Sequence, residues 1–314
     1  GADLDRRHPR RRRGRGRHRA ADPVGAGALG RSAVAQAGEP ATGGVVQAAR
    51  RHPRGGPARS RDPRPGGWSP TRRENHGQAL AYAARALGAP CTVVVPEGAP
   101  EVKVARMRAL GADVRLVPPA RRLAEAERIV AGTGATLVPP FDHPAVIAGQ
   151  GTVGLEIVAD LPEVDVVLVP VGGGGLGSGV ATAVKALRPS AVVIGVEPAL
   201  AADAQESLAA GEVVVWDVER TYRTCADGLR TSLSALTLAH LRDRLDGIVT
   251  VTEDEIMAAT GRLIRDARLV AEPSGAVALA ARLFHSGELP AGRTVAVVTG
   301  GNADPQVLTA ALAA

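Results

Sequence analysis

The sequence predicts an α/β protein built on parallel sheets, and three observations carry that expectation. Short aliphatic runs recur along the chain and are continuous rather than alternating, as in strands buried on both faces. Segments with Ala, Leu, Ile and Val at three- and four-residue spacing separate them, as in amphipathic helices. At 314 residues, the chain is long enough for one large or two ordinary domains with a sizeable core.

Taken in order, an asparagine turn at Asn75 opens an amphipathic helix in "NHGQALAYAARALGAP", and "TVVV" (92–95) gives the first strand. A helix over 101–110 and a strand "DVRLV" (113–117) follow. A second group comprises a helix over 144–159, the strand "VDVVLVPV" (164–171), a helix over 178–187 and the strand "AVVIGVEP" (191–198). The strand "GIVTVT" (247–252), helices over 253–267 and 274–284, and the strand "TVAVVTG" (294–300) complete the pattern. There is no internal repeat, and no appended regulatory module is expected after the last helix.

Composition narrows the function classes. No apolar run reaches the length needed to cross a bilayer, and the arginine-rich N-terminus lacks the apolar segment of a signal peptide, so a cytoplasmic protein with no membrane partner is expected. Cys91 and Cys225 sit in unrelated contexts without metal-type spacing and are expected to be reduced and structural. The net charge of +6 is unevenly placed: of the 36 arginines, 18 lie in residues 1–74, which contain no lysine. That segment holds too little apolar surface to offset its ordering entropy, so taken literally it is a basic, disordered tail. It has no interleaved aromatics for base stacking, so a polyanion-binding remnant is the weaker alternative and no nucleic-acid partner is expected.

The most specific motif is "VLVPVGGGGLGSGVATAVKAL". A strand ends at Val171, glycines occupy Gly172, Gly173, Gly174 and Gly175, and a helix begins near Leu176. Inward-turned backbone N–H groups and a helix N-terminus together suit a phosphate. Together with "ENHGQALAYAARALGAPCTVVVPEGAPEVKVARMRALGADV", "PPFDHPAVIAGQGTVGLEI", "GVEPALAAD", "TCADGL", "EPSGAVALAA" and "VVTGGNAD", it makes residues 75–314 resemble the threonine/serine dehydratase and serine racemase group of fold-type II pyridoxal-phosphate (PLP) enzymes. The resemblance implies two parallel-sheet α/β domains, a small one over 75–140 and a large PLP-binding one over 141–314. It also implies a hydroxyamino-acid substrate and a homo-oligomer.

Residue by residue, the resemblance gives Asn75 a hydrogen bond to the cofactor ring hydroxyl, Gly172–Gly175 with Leu176 the phosphate cup, and Thr299 the place facing the pyridine nitrogen. A neutral hydroxyl there limits delocalisation of a carbanion into the ring and suits β-elimination. The group's Mg²⁺ or Ca²⁺ site maps onto Glu197, the Ala201 carbonyl and Asp203, hard oxygen donors suited to such ions. Glu272 falls where the group keeps a glutamate near the site.

The group also needs a lysine for its cofactor and a serine opposite it. The chain has only Lys103 and Lys185, both on amphipathic helices and both expected at the surface. The missing lysine falls at Gln47 and the missing serine at Arg73. Read one base out of phase, the codons of residues 33–52 permit "LWLKLENLQRGGSFKLRGA", and across the Gln47–Ala48 junction only lysine or arginine is possible. In the other phase "WSPTRRE" permits "VTYSSG", leading into Asn75. Residues 1–74 are therefore expected to be an out-of-frame segment. The in-frame product is expected to be a threonine or serine ammonia-lyase, with serine racemisation and 3-hydroxyaspartate elimination as alternatives. The chain as it stands is expected to be inactive.

Overall fold

The computed structural model describes residues 68–69, 74–99, 101–118 and 121–314. Its first part contains β1 (Trp68–Ser69), α1 (Glu74–Leu87), β2 (Thr92–Pro96), α2 (Glu101–Ala109), β3 (Asp113–Val117), α3 (Arg122–Thr133) and β4 (Thr136–Leu137). Two parallel pairs form here, β1 with β4 and β2 with β3. Leu80 and Ala84 of α1, Val93 and Val95 of β2, and Val104 and Met107 of α2 share one core.

The second part runs α4 (Pro144–Asp160), β5 (Val166–Pro170), α5 (Gly175–Leu187), β6 (Val192–Pro198), α6 (Asp203–Ala210), α7 (Val218–Thr221), α8 (Ala235–Arg244), β7 (Gly247–Val251), α9 (Glu253–Ala267), α10 (Pro273–Phe284), β8 (Thr294–Ala296) and α11 (Pro305–Ala313). Its four strands are parallel in the order β7-β6-β5-β8. Alternation along β5 explains its unbroken aliphatic run: Val166 and Leu168 pack with Ile256 and Leu263 of α9 and Val277 of α10, while Val167 and Val169 pack with Val153 and Ile157 of α4 and Val180 and Val184 of α5. Helices cover both faces, so neither side chain set meets water.

Helices α4 and α5 approach each other through glycines. A Cβ on Gly179 would lie 2.4 Å from the Ile147 carbonyl oxygen and 2.5 Å from the Gly151 nitrogen, so the pair can close only without side chains there. The glycines of "GQGTVG" and "GLGSG" thus set the seat of the helix that follows the Gly172–Gly175 turn.

Two of the strands expected to be buried on both faces are not. β3 mixes exposed and half-buried residues because it has β2 on one side only, and β7 is mostly half-buried because it is the outer strand of its sheet. β5 and β6, with neighbours on both sides, are buried as expected. Within the segment read as a tail, Trp68–Ser69 pairs with Thr136–Leu137, and α1 begins at Glu74, one residue before Asn75.

Candidate active site

Strands β6 and β8 lie on opposite sides of β5, so the winding of the sheet reverses at the carboxyl ends of β5 and β8. Open α/β sheets take their ligands at such a switch point. Continuing the β5–β8 register past Leu168–Ala296 sets Thr299 level with Val171, directly before the glycine turn.

The turn is a cradle of backbone. Gly172 to Gly175 are buried, and Gly174 has φ +85°, a conformation that a side chain disfavours. A Cβ on Gly174 would come within 2.8 Å of Leu233 and Thr237, and one on Gly173 within 2.5 Å of the Phe141 ring. Phe141, Leu233 and Thr237 therefore wall the turn, and Gly175 starts α5, whose N-terminal dipole end favours an anion. Such a cradle fits a phosphate monoester.

Beside it lies a chain of polar side chains drawn from α1, α2 and the segments around α10 and β8. Asn75 Nδ2 donates to Glu272 Oε1 at 2.5 Å, and Asn302 Nδ2 donates to Asn75 Oδ1 at 2.8 Å. Arg106 donates to Asn302 Oδ1. Lys103 Nζ stands 3.0 Å from Asp227 Oδ2 and 3.7 Å from Glu272 Oε2. Ser274 Oγ donates to Asp227 Oδ1 at 3.2 Å and accepts from the Gly228 N–H at 2.8 Å. The Glu272 N–H bonds the Gly300 carbonyl at 2.8 Å, which ties the carboxylate to the end of β8. Burial pushes the Asp227 carboxyl up, but the Lys103 ammonium, with Arg230 and the Ser274 hydroxyl, pulls harder and holds it below the usual range.

Of the expected site residues, Asn75, Gly172–Gly175, Leu176, Thr299 and Glu272 lie around this switch point, Leu176 and Thr299 half-buried. Lys103 corrects its expected surface position: its residue is 5% exposed and its amine turns inward to the carboxylates. The local helical pattern could not show this, because its partners Asp227 and Glu272 come from the far half of the chain. Lys185 is half-buried at the far end of α5, bonding Asp246 at 2.7 Å and the Ala191 carbonyl at 2.8 Å. Gln47 and Arg73 lie outside the described residues. The sequence reading did not single out Asp227, Asn302, Ser274, Arg106 or Phe141; "TCADGL" and "GGNAD" contain two of them, but nothing local marks them as partners of Lys103 and Asn75.

Glu197, Ala201 and Asp203 are buried together at the end of β6, and the β5–β6 register sets Glu197 level with Val171, one strand over from the glycine turn. The Ala204 and Gln205 N–H groups donate to the two Glu197 oxygens at 3.1 and 2.8 Å. Burial nevertheless pushes the Glu197 carboxyl up to about 8, with the neighbouring Asp203 adding to the rise. Burial likewise raises Asp203, against a bond from Ser232, and its Oδ2 finds no hydrogen-bond partner among the described residues. Two buried carboxylates, one oxygen of them unpaired, fit a hard cation. Among the described residues no cluster of three His, Cys, Asp or Glu side chains with metal-ligating geometry occurs. Cys91 and Cys225 are free thiols; burial pushes Cys91 up to about 12 and raises Cys225 as well, which leaves both inert.

A phosphate cradle at the switch point of a parallel sheet, flanked by a buried polar chain, defines an α/β protein built for a phosphorylated ligand. The profile of the pyridoxal-phosphate dependent enzymes matches residues 69–300, and the chain belongs to that family. A Sinorhizobium fredii protein provisionally named threonine dehydratase is 46% identical over 233 residues, which is 72% of this chain and 69% of its own length. Mouse serine racemase is 41% identical over 235 residues, 73% of this chain and 69% of its own. The crystal structure of T.th. threonine deaminase superposes with a TM-score of 0.74 at 40% identity, covering 88% of this chain and 84% of that one. Among the described residues no helix is long and apolar enough to cross a membrane.

Proposed function

We propose that this chain derives from a PLP-dependent hydroxyamino-acid ammonia-lyase, releasing a 2-keto acid and ammonia from threonine or serine. The observation that carries the reading is the joining of Asn75, Glu272 and Asn302 into one bonded set beside the glycine cradle, at the reversal of the four-stranded sheet. PLP supplies the electron sink that makes the substrate's α-proton removable. In the proposed site Gly172–Gly175 and Leu176 would hold the phosphate, Asn75 would bond the ring hydroxyl, and Thr299 would offer the ring nitrogen a neutral hydroxyl. Glu272 would orient Asn75 through the bond between them, and Phe141, Leu233 and Thr237 would wall the cradle. A divalent cation on Glu197, the Ala201 carbonyl and Asp203 is proposed as a structural ion. Residues 75–140 and 141–314 are proposed as the small and large domains of a cytoplasmic homo-oligomer.

The amine and the opposite-face serine are proposed to be encoded within codons 20–75 in shifted frames. Gln78 supports this: its side chain is 1% exposed, yet neither end of its amide has a hydrogen-bond partner among the described residues. An unpaired buried group costs about 1–3 kcal/mol, and a native backbone segment laid beside α1 would relieve it. Resequencing codons 20–75 tests the frame. Bases restoring a Ser-Phe-Lys and a Ser-Ser-Gly segment are expected, and an unchanged reading would remove the proposal. Serine racemisation is the second reading, favoured by the buried Glu197–Asp203 pair and the mouse relative. Chiral analysis of serine incubated with the frame-restored protein separates it from elimination.

A further inference from the structure

The carboxylate pair at the end of β6 has an aromatic and charged layer beside it that none of the sequence motifs contains. Asp203 and Glu206 stand three residues apart in the first turn of α6, so they share one face of that helix. Glu206 Oε2 accepts the indole N–H of Trp216 at 2.6 Å. The Arg220 guanidinium lies over that indole, 3.1 Å from the ring centroid, where the ring face attracts a cation. Arg220 belongs to α7, which lies against the 3-10 turn Ala199–Ala201 that carries the proposed carbonyl ligand. Among the described residues Arg220 makes no ion pair, so the ring rather than a carboxylate holds it in place. Both charges of the layer act on Asp203: burial is the largest influence and raises its carboxyl, Glu206 adds to the rise and Arg220 opposes it.

We propose that Arg220, held on the Trp216 ring, sets the affinity of the carboxylate pair for a divalent cation, and that filling the site loosens the stack of Arg220 on Trp216. The inference rests on the proposed cation on Glu197, Ala201 and Asp203 and deepens it, because it names the charge against which the ion must bind. A divalent ion at Asp203 meets attraction from Glu206 and repulsion from Arg220. Coupling of this kind is reciprocal: if Arg220 on the ring weakens the ion, the ion weakens the hold of the ring on Arg220 by the same factor. Arg220 is exposed and free to swing its head into water, whereas Trp216 is half-buried and tied to Glu206, so the ring stays and its partner leaves.

The test is calorimetric titration of Ca²⁺ into the metal-stripped full chain, with the emission of Trp216 followed in a Trp68→Phe background, since Trp68 is the only other tryptophan. Arg220→Met is expected to tighten Ca²⁺ binding about fivefold at low salt, the effect of removing one exposed like charge, and the gain is expected to shrink to within about twofold at about 1 M salt. Arg220→Lys, which keeps the charge, is expected to bind as the wild type does. Glu206→Gln still offers an oxygen to the indole N–H but is expected to bind Ca²⁺ about fivefold more weakly. Arg128→Met, which removes the same charge from α3, is expected to change nothing. Saturating Ca²⁺ is expected to shift the Trp216 emission when Arg220 is present and to leave it unshifted in Arg220→Met. Should Arg220→Met not fold, Glu206→Gln and the Trp216 emission decide. Ca²⁺ binding that Arg220→Met leaves unchanged, or tightens no more than Arg128→Met does, would overturn this inference and leave the cation site standing, as would unchanged binding in Glu206→Gln or a Trp216 emission indifferent to bound Ca²⁺. A wild-type chain that binds no Ca²⁺ would overturn both.

Discussion

Asn75 has both ends of its amide committed within the protein, to Glu272 and to Asn302, before any ligand arrives. Asn75→Ala is therefore expected to act twice. It should weaken PLP retention about tenfold in dialysis and lower stability by about 1–3 kcal/mol in urea unfolding, because buried Glu272 and Asn302 lose a partner. The buried Glu197–Asp203 pair makes a different prediction. With an oxygen of Asp203 unpaired and burial raising both carboxyls, a divalent cation should relieve them. Millimolar Mg²⁺ or Ca²⁺ is expected to raise the thermal midpoint, EDTA to reverse the rise, and Asp203→Asn to abolish it; a midpoint indifferent to the ions would argue for a dry carboxyl pair. At this scale the sequence was partly legible. The motifs held Asn75 and Glu272, which the fold brings into one bond, whereas the inward turn of Lys103 was not legible, since burial of a lysine depends on carboxylates brought from distant segments.

Elements explain why the cradle stays open. The turn Gly172–Gly175 hangs between β5 and α5, and α5 is seated against α4 through Gly179 and Gly151. Gly179→Val is expected to destabilise the protein by about 1–3 kcal/mol and to weaken PLP retention together, since the helix that starts the cradle must shift; thermal unfolding and dialysis check the pair of effects. On the opposite face His285, at the end of α10, bonds Glu288 at 2.8 Å and Glu255 in the first turn of α9 at 3.1 Å. The bond to Glu288 and that to Glu255, with their charges, raise the imidazole above its ordinary value near 6.5. A raised histidine stabilises the fold fully below the ordinary value and loses that contribution as pH rises through the folded one. The wild type should therefore lose stability relative to His285→Gln between about pH 6 and 8, a difference that urea midpoints across that range would reveal. Strand and helix positions were legible because short continuous aliphatic runs and period-3.6 patterns follow from local geometry. Which strands would be edges was not, since the exposure of β3 and β7 depends on strand order, to which an aliphatic run is blind.

The whole molecule brings its chemistry to one place because a topological reversal gathers the loops after β5 and β8 and leaves the α1–α2 pair to cover them. Sheet order was not readable from the residues, but the motifs that meet there were, and they lie in sequence order from residue 75 onward. The first 74 residues break with that consistency: they carry half the arginines and no lysine, while the buried amide of Gln78 has no hydrogen-bond partner among the described residues. Agreement between local pattern and global fold marks a sequence selected to fold, and its sudden loss at one boundary is what the proposed change of reading frame would produce. The most direct measurement is 2-keto acid release from L-threonine by the chain as it stands and by the frame-restored protein, assayed side by side with PLP. Release by the restored protein, abolished by replacing its regained lysine, with at least about a hundredfold less from the present chain, is the expected result. Equal release by both, or none by the restored protein, would contradict the assignment of these residues to an ammonia-lyase site that lacks its amine.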